Sequence, residues 1–136
     1  MYRACIIVMS DKQYTGEEED LTSDKIIEYL KKENFDIVVH NIIPEVNEIV
    51  KRALVKCCDE YEADLVVLIG TKKLADEARY EVEDKKEFAK INYWIDGEKG
   101  YISSRSNTAV IQLPKVFNEI NLNIDKIIET IKVLNA

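Results

Sequence analysis

The sequence predicts an α/β domain built on a mainly parallel sheet. Residues 4–9 are a continuous apolar run, and residues 64–70 contain five consecutive apolar residues between Asp64 and Gly70. Such runs are typical of strands that helices cover on both faces. Amphipathic stretches of ten or more residues lie between the predicted strands. Because strands that alternate with helices of this length form βαβ units with right-handed crossovers, we expect a largely parallel sheet.

The first half of the chain is predicted to place one helix between two strands. Residues 10–21 are polar and indicate a loop after the first strand. Thr22 or Ser23 can then cap a helix. Asn34 is expected to end that helix in the left-handed conformation, which Asn tolerates. Residues 35–43 follow as the second strand.

The second half is predicted to add two strands, two helices and a small hairpin. A charged segment from about 74 to 90 indicates a helix. Residues 91–96 and 101–105 flank two glycines, which predicts a β-hairpin near residues 91–105. Residues 108–113 form the last strand, and residues 124–134 close the chain as an amphipathic helix.

Three cysteines are predicted to be buried free thiols. Cys5, Cys57 and Cys58 show no metal-binding or redox spacing, and the stretch 46–61 reads as a long amphipathic helix with both adjacent cysteines at its apolar stripe. An odd number of cysteines fits a reducing compartment. The sequence shows neither a signal-peptide pattern nor the roughly 18 apolar residues of a membrane span, so we expect a cytoplasmic protein without membrane contact.

Composition limits the size of the domain and the class of its ligands. With 136 residues and 46% hydrophobic content, residues 1–136 are expected to form one domain. Acidic residues number 26 against 19 basic ones, a formal net charge of −7. No basic stripe is visible, which argues against nucleic acid as a partner. An anionic ligand must therefore be held by local backbone amides and a few placed cations.

The predicted ligand crevice lies at the carboxyl ends of the strands, where open α/β sheets bind their ligands. Three strand ends supply small polar groups and lysines that could hold a phosphate, with Asp11 or Asp20 available for a magnesium ion. The residues at these ends are Ser10, Asp11, Gly70, Thr71, Lys72, Lys73, Pro114 and Lys115.

Each of these features also has a purely structural interpretation. Gly70 could serve a turn that needs a positive φ angle, and the acidic run at 17–20 could be a solvated loop. His40, the only histidine, lies within a predicted strand. Tyr93 and Trp94 could pack in the hairpin instead of stacking on a ligand ring. The sequence contains neither a Walker motif nor a G-x-G-x-x-G motif.

Five segments share their order and spacing with motifs of a known family. They are Ile7 to Asp11, Glu19 to Ser23, Ile42 to Glu45, Asp64 to Thr71, and Asn107 to Pro114. Together they resemble the molybdopterin-binding domain family of molybdenum cofactor biosynthesis, which includes the molybdopterin adenylyltransferases and their bacterial paralogues. The resemblance covers roughly three quarters of the chain and makes it a divergent member.

This resemblance implies a three-layer αβα sandwich that assembles as a homo-oligomer, with a trimer favoured. It also implies binding of molybdopterin and, in catalytic members, adenylylation of its phosphate with ATP and Mg²⁺. Asp76 or Glu77 would replace the family's catalytic acid, and Asp11 and Asp20 would hold the metal. The implied binding residues are Ser10, Asp11, Ser23, Gly70, Thr71, Lys72, Lys73, Pro114 and Lys115.

Departures from the family motifs leave the activity open. The family's Gly-Gly-Thr-Gly loop reads Ile69-Gly70-Thr71-Lys72 here, so a side chain stands where glycine lets the backbone approach a phosphate. Pro114 is followed by Lys115-Val116, where the family has Gly-Ser-Pro. The chain is therefore either an active adenylyltransferase or a catalytically silent member that binds a pterin or nucleotide or acts in an oligomer. A third alternative is an unrelated ligand on a retained fold.

Overall fold

The computed structural model describes residues 1–84 and 92–136 and shows a five-stranded sheet between two layers of helices. The strands are β1 (Tyr2–Met9), β2 (Phe35–Ile43), β3 (Leu65–Ile69), β4 (Asn92–Ile95), β5 (Glu98–Tyr101), β6 (Ser103–Arg105), β7 (Thr108–Leu113) and β8 (Ile120–Asn121). The helices are α1 (Asp11–Tyr14), α2 (Ser23–Lys32), α3 (Asn47–Asp59), α4 (Lys72–Val82) and α5 (Ile124–Leu134).

The main sheet has the strand order β2-β1-β3-β7-β6. All neighbouring pairs are parallel except β6 and β7, so a single antiparallel strand forms one edge. In the register, Val8 pairs with Ile69, and Ile69 pairs with Leu113. The chain therefore leaves β1, β3 and β7 at the same edge of the sheet, which is where the sequence predicts the ligand crevice.

Side chains of β1 alternate between the two layers, as a doubly covered strand requires. Ile6 packs with the buried residues of α2 and α5, and Ile7 packs with those of α3 and α4. The predicted mainly parallel αβα arrangement is thereby confirmed. Cys5 lies on the α3 side with Cys57 and Cys58, and all three thiols are buried and free, as predicted.

A second sheet with the order β5-β4-β8 differs from the predicted hairpin. The hairpin turn consists of Asp96 and Gly97, with φ angles of 48° and 80°, because two-residue turns with two positive φ angles match the twist of the strands. The predicted second strand at 101–105 is therefore divided between two sheets. Residues 98–101 pair with β4, and residues 103–105 pair with β7.

Two further boundaries differ from the predictions. The loop expected at 10–21 begins with the four-residue helix α1, which Ser10 caps by accepting a hydrogen bond from the Gln13 amide. The helix predicted from 74 to 90 begins at Lys72 and ends at Val82. Residues 85–90 of that prediction and residue 91 of the predicted hairpin lie outside the described residues. Asn34 has the predicted left-handed conformation, with a φ angle of 67°.

In the part of the chain that the structure describes, every helix is too short or too polar to cross a bilayer.

Candidate functional site

A cleft of about 330 Å³ opens at the carboxyl ends of β3 and β7, beside the β4–β5 hairpin. It brings together four of the predicted site residues with hairpin residues that the sequence did not indicate. The lining residues are Gly70, Thr71, Lys72, Arg79, Ile95, Asp96, Glu98, Lys99, Gly100, Tyr101, Gln112, Pro114 and Val116.

Gly70 turns the chain from β3 into α4 and is held on both sides. Its amide donates to the Leu113 carbonyl at 2.8 Å, and its carbonyl accepts from the Gln112 side chain at 2.8 Å. Its φ angle is 156°, and a Cβ added there would lie 2.9 Å from the Met9 carbonyl oxygen. The structure thus gives Gly70 a packing role between neighbouring strands, in line with the structural interpretation.

The N-terminus of α4 faces this cleft through Thr71 and Lys72. The Thr71 side chain makes no capping hydrogen bond within the described residues. The first amides of a helix have no intrahelical acceptor, and the helix dipole adds partial positive charge at this end. An anion such as a phosphate suits this position, and the exposed Lys72 adds a full positive charge.

A cluster of the buried Arg79 with the partly buried Asp76 and Tyr101 lies behind the helix end. Arg79 is 1% exposed and donates from Nη2 to Asp76 Oδ1 at 2.8 Å. The Tyr101 hydroxyl donates to the same oxygen at 3.0 Å, and the guanidinium stacks 3.9 Å from the Tyr101 ring centroid. Burial, reinforced by the hydrogen bond to Asp76, raises the pKa of Tyr101 to about 12, so its hydroxyl remains a donor at neutral pH.

The other side of the strand-end edge, which we name the Ser10 side, consists of Ser10, Asp11, Asp20 and Lys115. Ser10 is fully buried, and its hydroxyl oxygen accepts from the Gln13 amide at 3.2 Å and from Lys115 Nζ at 3.4 Å. Asp11 exchanges two hydrogen bonds with Glu45, one through each backbone amide. All four residues thus have hydrogen-bond partners within the protein, and none of them lines the cleft.

Asp20 caps α2 in place of the predicted Thr22 or Ser23. One of its carboxylate oxygens accepts from the amides of Thr22 and Ser23 at 3.2 and 3.0 Å, and the other lies 3.4 Å from Nε2 of His40. Burial opposes ionisation, but the hydrogen bonds from Ser23, His40 and the Thr22 amide outweigh it and lower the pKa of Asp20 below its usual value. The Thr22 hydroxyl donates instead to the Lys115 carbonyl.

Both predicted metal ligands are hydrogen-bonded within the protein. The carboxylates of Asp11 and Asp20 bind different backbone amides. Across residues 1–84 and 92–136, no group of three or more His, Cys, Asp or Glu side chains could hold a metal ion. Mg²⁺ is usually bound by one or two carboxylates together with substrate phosphates and water. The metal role of Asp11 and Asp20 therefore stays a prediction.

Comparison with solved structures shows which known proteins share this fold. The chain superposes on the molybdopterin biosynthesis enzyme MoaB from Thermus thermophilus with a TM-score of 0.71 and 21% identity, over 98% of this chain and 91% of that one. The chain has the fold of the MoaB proteins. The tungsten cofactor synthesizing protein MoaB from Pyrococcus furiosus gives a TM-score of 0.65 at 21% identity, over 99% and 91% of the two chains.

A molybdenum cofactor biosynthesis protein B gives a TM-score of 0.77 at 18% identity, over 98% of this chain and 96% of that one. No protein-family model and no curated protein matches the sequence.

Within this MoaB-like fold, the predicted site residues divide into two groups. Gly70, Thr71, Lys72 and Pro114 line the cleft. The predicted residues that do not line it are Ser10, Asp11, Asp20, Ser23, Lys73, Asp76, Glu77 and Lys115. Arg79 is one of the cleft residues that the sequence analysis missed. Its signal was the i, i+3 spacing from Asp76, but arginine is seldom fully buried, so the pair resembled an ordinary surface ion pair.

Proposed function

We propose that the chain is a divergent member of the molybdopterin-binding family that binds molybdopterin, or a closely related phosphate-bearing pterin, in this cleft. One observation carries the proposal. The N-terminus of α4, with Thr71 and Lys72, opens into the cleft formed where β3 and β7 end. The MoaB-like fold supports it, because the neighbours are named for molybdopterin and molybdenum cofactor biosynthesis.

The lining of the cleft offers groups for both parts of such a ligand. The amides of the first turn of α4 and the Lys72 ammonium group match a phosphate, and Lys99 on the hairpin adds a second cation. Apolar groups of Ile95, Pro114 and Val116 line the same cleft and provide a surface for a flat ring. The protein would thus bind the phosphate through positive charge and backbone amides, and the ring through packing against apolar side chains.

Binding without adenylyl transfer is the function that the geometry favours. Small-molecule clefts measure about 300–1,000 Å³, so a cleft of about 330 Å³ suits one ligand better than a pterin together with ATP. Adenylyl transfer also needs carboxylates to hold magnesium. Asp76 already accepts hydrogen bonds from Arg79 and Tyr101. We therefore propose that the protein is a catalytically silent binding protein of molybdenum cofactor biosynthesis. Adenylyl transfer is the alternative that an activity assay must exclude.

Calorimetric titration with molybdopterin tests the binding proposal. Lys72→Gln should weaken binding about three- to tenfold, because it removes a cation beside the phosphate. Lys73→Gln is the matched control, since Lys73 is the exposed neighbour in sequence and does not line the cleft. Molybdopterin that does not bind, or binds equally well to both variants, would contradict the placement of the phosphate at α4.

Mass spectrometry after incubation with molybdopterin, ATP and Mg²⁺ tests the alternative. We expect no adenylylated molybdopterin while an authentic adenylyltransferase forms it in parallel. Product formation would show that the lysine after Thr71 can substitute for the family's glycine, and the protein would then be an enzyme. The oligomer implied by the resemblance is measured separately by light scattering, where a monomer at high concentration would exclude the trimer.

A further inference from the structure

Arg79 contacts three elements around the cleft. It lies in α4, its Nη1 donates to the Tyr101 carbonyl at the end of β5 at 3.1 Å, and the same nitrogen lies 3.4 Å from the Val110 carbonyl of β7. Its Nη2 donates to Asp76. These contacts fix the guanidinium plane against the Tyr101 ring, so the direction of every remaining N–H is fixed as well.

One donor of this guanidinium remains available. Arg79 Nε is buried and has no hydrogen-bond partner among the described residues. Buried N–H groups are almost always paired, and a rare exception needs an explanation such as a functional role. Because Arg79 is among the residues that line the cleft, a ligand bound there is a candidate acceptor.

We propose that Arg79 is the specificity-determining residue of the cleft, and that its Nε–H donates a hydrogen bond to an acceptor oxygen of the bound ligand. The inference rests on the proposed function, since it concerns the same cleft. The acceptor is either a phosphate oxygen or the carbonyl oxygen of a pterin ring. A ligand without an oxygen at this point would leave the N–H buried and unpaired, and the cleft would discriminate against it.

The charges around Arg79 are shared among several groups. Lys72 lies 3.8 Å from Asp76 Oδ2, so two cations, Lys72 and Arg79, share one carboxylate. Glu83 adds a second negative charge near Arg79 and Asp76, so the preference for an oxygen acceptor rests on the unpaired Nε–H and not on net charge. Asp76 also fixes the orientation of the guanidinium, which reduces the entropy that Arg79 would lose when it binds a ligand.

The experiment follows the arginine Nε–H resonances of the native protein by NMR. The chain has four arginines, at positions 3, 52, 79 and 105, so the Arg79 signal can be assigned by through-bond correlation to its own backbone. Inorganic phosphate and molybdopterin are added separately. We expect the Arg79 Nε–H signal to shift and its hydrogen exchange to slow on binding. The Arg105 Nε–H, which already donates to Asp59 at 3.2 Å, should not change.

Each outcome decides one part of the proposal. A response to inorganic phosphate identifies a phosphate oxygen as the acceptor, and a response to molybdopterin alone identifies the ring oxygen. Shifts of the Thr71 and Lys72 amides without a change at Arg79 Nε would overturn the role of Arg79 and leave the proposed function intact. Unchanged signals throughout the cleft with both probes would overturn both.

A pair of variants supplies an independent measurement. Arg79→Lys keeps the positive charge but removes the Nε–H, and it should weaken molybdopterin binding about ten- to a hundredfold. Arg105→Lys is the matched control, because Arg105 also donates to a carboxylate and to a backbone carbonyl, that of Val82, but lies outside the cleft. If the two variants bind molybdopterin equally well while both remain folded, Arg79 does not select the ligand.

Discussion

Polar and charged residues lie on both sides of the sheet edge where β1, β3 and β7 end, but the two sides differ in how far the protein itself binds these groups. On the Ser10 side, the Ser10 hydroxyl, the Asp11 and Asp20 carboxylates and the Lys115 ammonium group are bound by other protein groups. The other side, which we name the Gly70 side, consists of Gly70, Thr71, Lys72 and Arg79. It places a helix end at a cleft and leaves Arg79 Nε without a hydrogen-bond partner among the described residues. Polar groups at a strand end indicate a ligand only where the protein has not already satisfied them.

The largest expected effect concerns the packing of the Gly70 side. Gly70→Ala should lower the free energy of unfolding by about 3 kcal/mol, because the new Cβ would meet the Met9 carbonyl oxygen at 2.9 Å and the φ angle is 156°. Gly16→Ala is the control, since Gly16 has a φ angle of 83° with no atom within 4 Å of an added Cβ, and should cost about 1 kcal/mol.

Urea denaturation of both glycine variants measures this difference. Equal destabilisation would mean that the backbone at Gly70 can move away from Met9. The glycine would then be explained by approach of a ligand, and the Gly70 side would be more adaptable than the close contact indicates.

The next effect concerns the buried ion pair. Asp76→Ala should lower the free energy of unfolding by about 2 kcal/mol, because it leaves the Arg79 guanidinium buried without its carboxylate. Glu77→Ala is the matched control at the adjacent position, where the carboxylate is exposed and lies 3.5 Å from Asn47 Nδ2, and it should cost less than about 0.5 kcal/mol. Urea denaturation measures both variants. A similar loss of unfolding free energy in both would show that the buried Arg79 guanidinium does not need the Asp76 carboxylate for stability.

Much of the fold was predictable from local patterns. The buried strands follow from apolar runs, and the end of α2 follows from Asn34. The small sheet was not fully predictable, because the two-residue β8 pairs with β4 across a long separation in sequence and has no pattern of its own. Pairing of this kind depends on tertiary contacts, which a single sequence does not display.

The sequence predicted the edge of the sheet at which the candidate site lies, but not the contacts of individual side chains there. The positions of the strand ends identified that edge, yet they could not show that Asp20 caps α2 or that Lys115 contacts Ser10. Asp20 binds amides only two and three residues away, so that signal was local and the sequence analysis missed it. The interaction of Lys115 with Ser10 spans 105 residues, and a single sequence does not display such a contact. Trp94 shows the same limit, because the sequence is compatible with packing in the hairpin, whereas the residue is 46% exposed.

A smaller effect tests the Ser10 side directly. Asp20→Asn should lower the free energy of unfolding by about 1 kcal/mol at about pH 7, because the charged cap of α2 is lost. The pKa of Asp20 is lowered in the folded state, so its contribution is present above the ordinary value of 3.8 and is lost as the pH falls through the folded value.

Denaturation from about pH 7 to about pH 3 should therefore show the stabilities of Asp20→Asn and the native protein converging. Glu19→Gln, at the exposed neighbouring position, provides the control and should follow the native curve. A constant difference between Asp20→Asn and the native protein across this range would mean that the stabilisation does not come from the charge. The Asp20 carboxylate could then be available for a metal ion after all.

The smallest expected effect compares the lysines of the two sides. Lys115 Nζ lies 3.4 Å from the Ser10 hydroxyl and 3.8 Å from a Glu18 carboxylate oxygen, and it does not line the cleft. Lys115→Gln should therefore change molybdopterin affinity less than about twofold and stability by less than about 0.5 kcal/mol, since a partly exposed ion pair contributes little. Lys72→Gln should weaken binding several times more. If Lys115→Gln instead weakens binding as strongly as Lys72→Gln, the ligand reaches across both sides of the edge, and a lysine that looks satisfied in the free protein exchanges its partners for the phosphate.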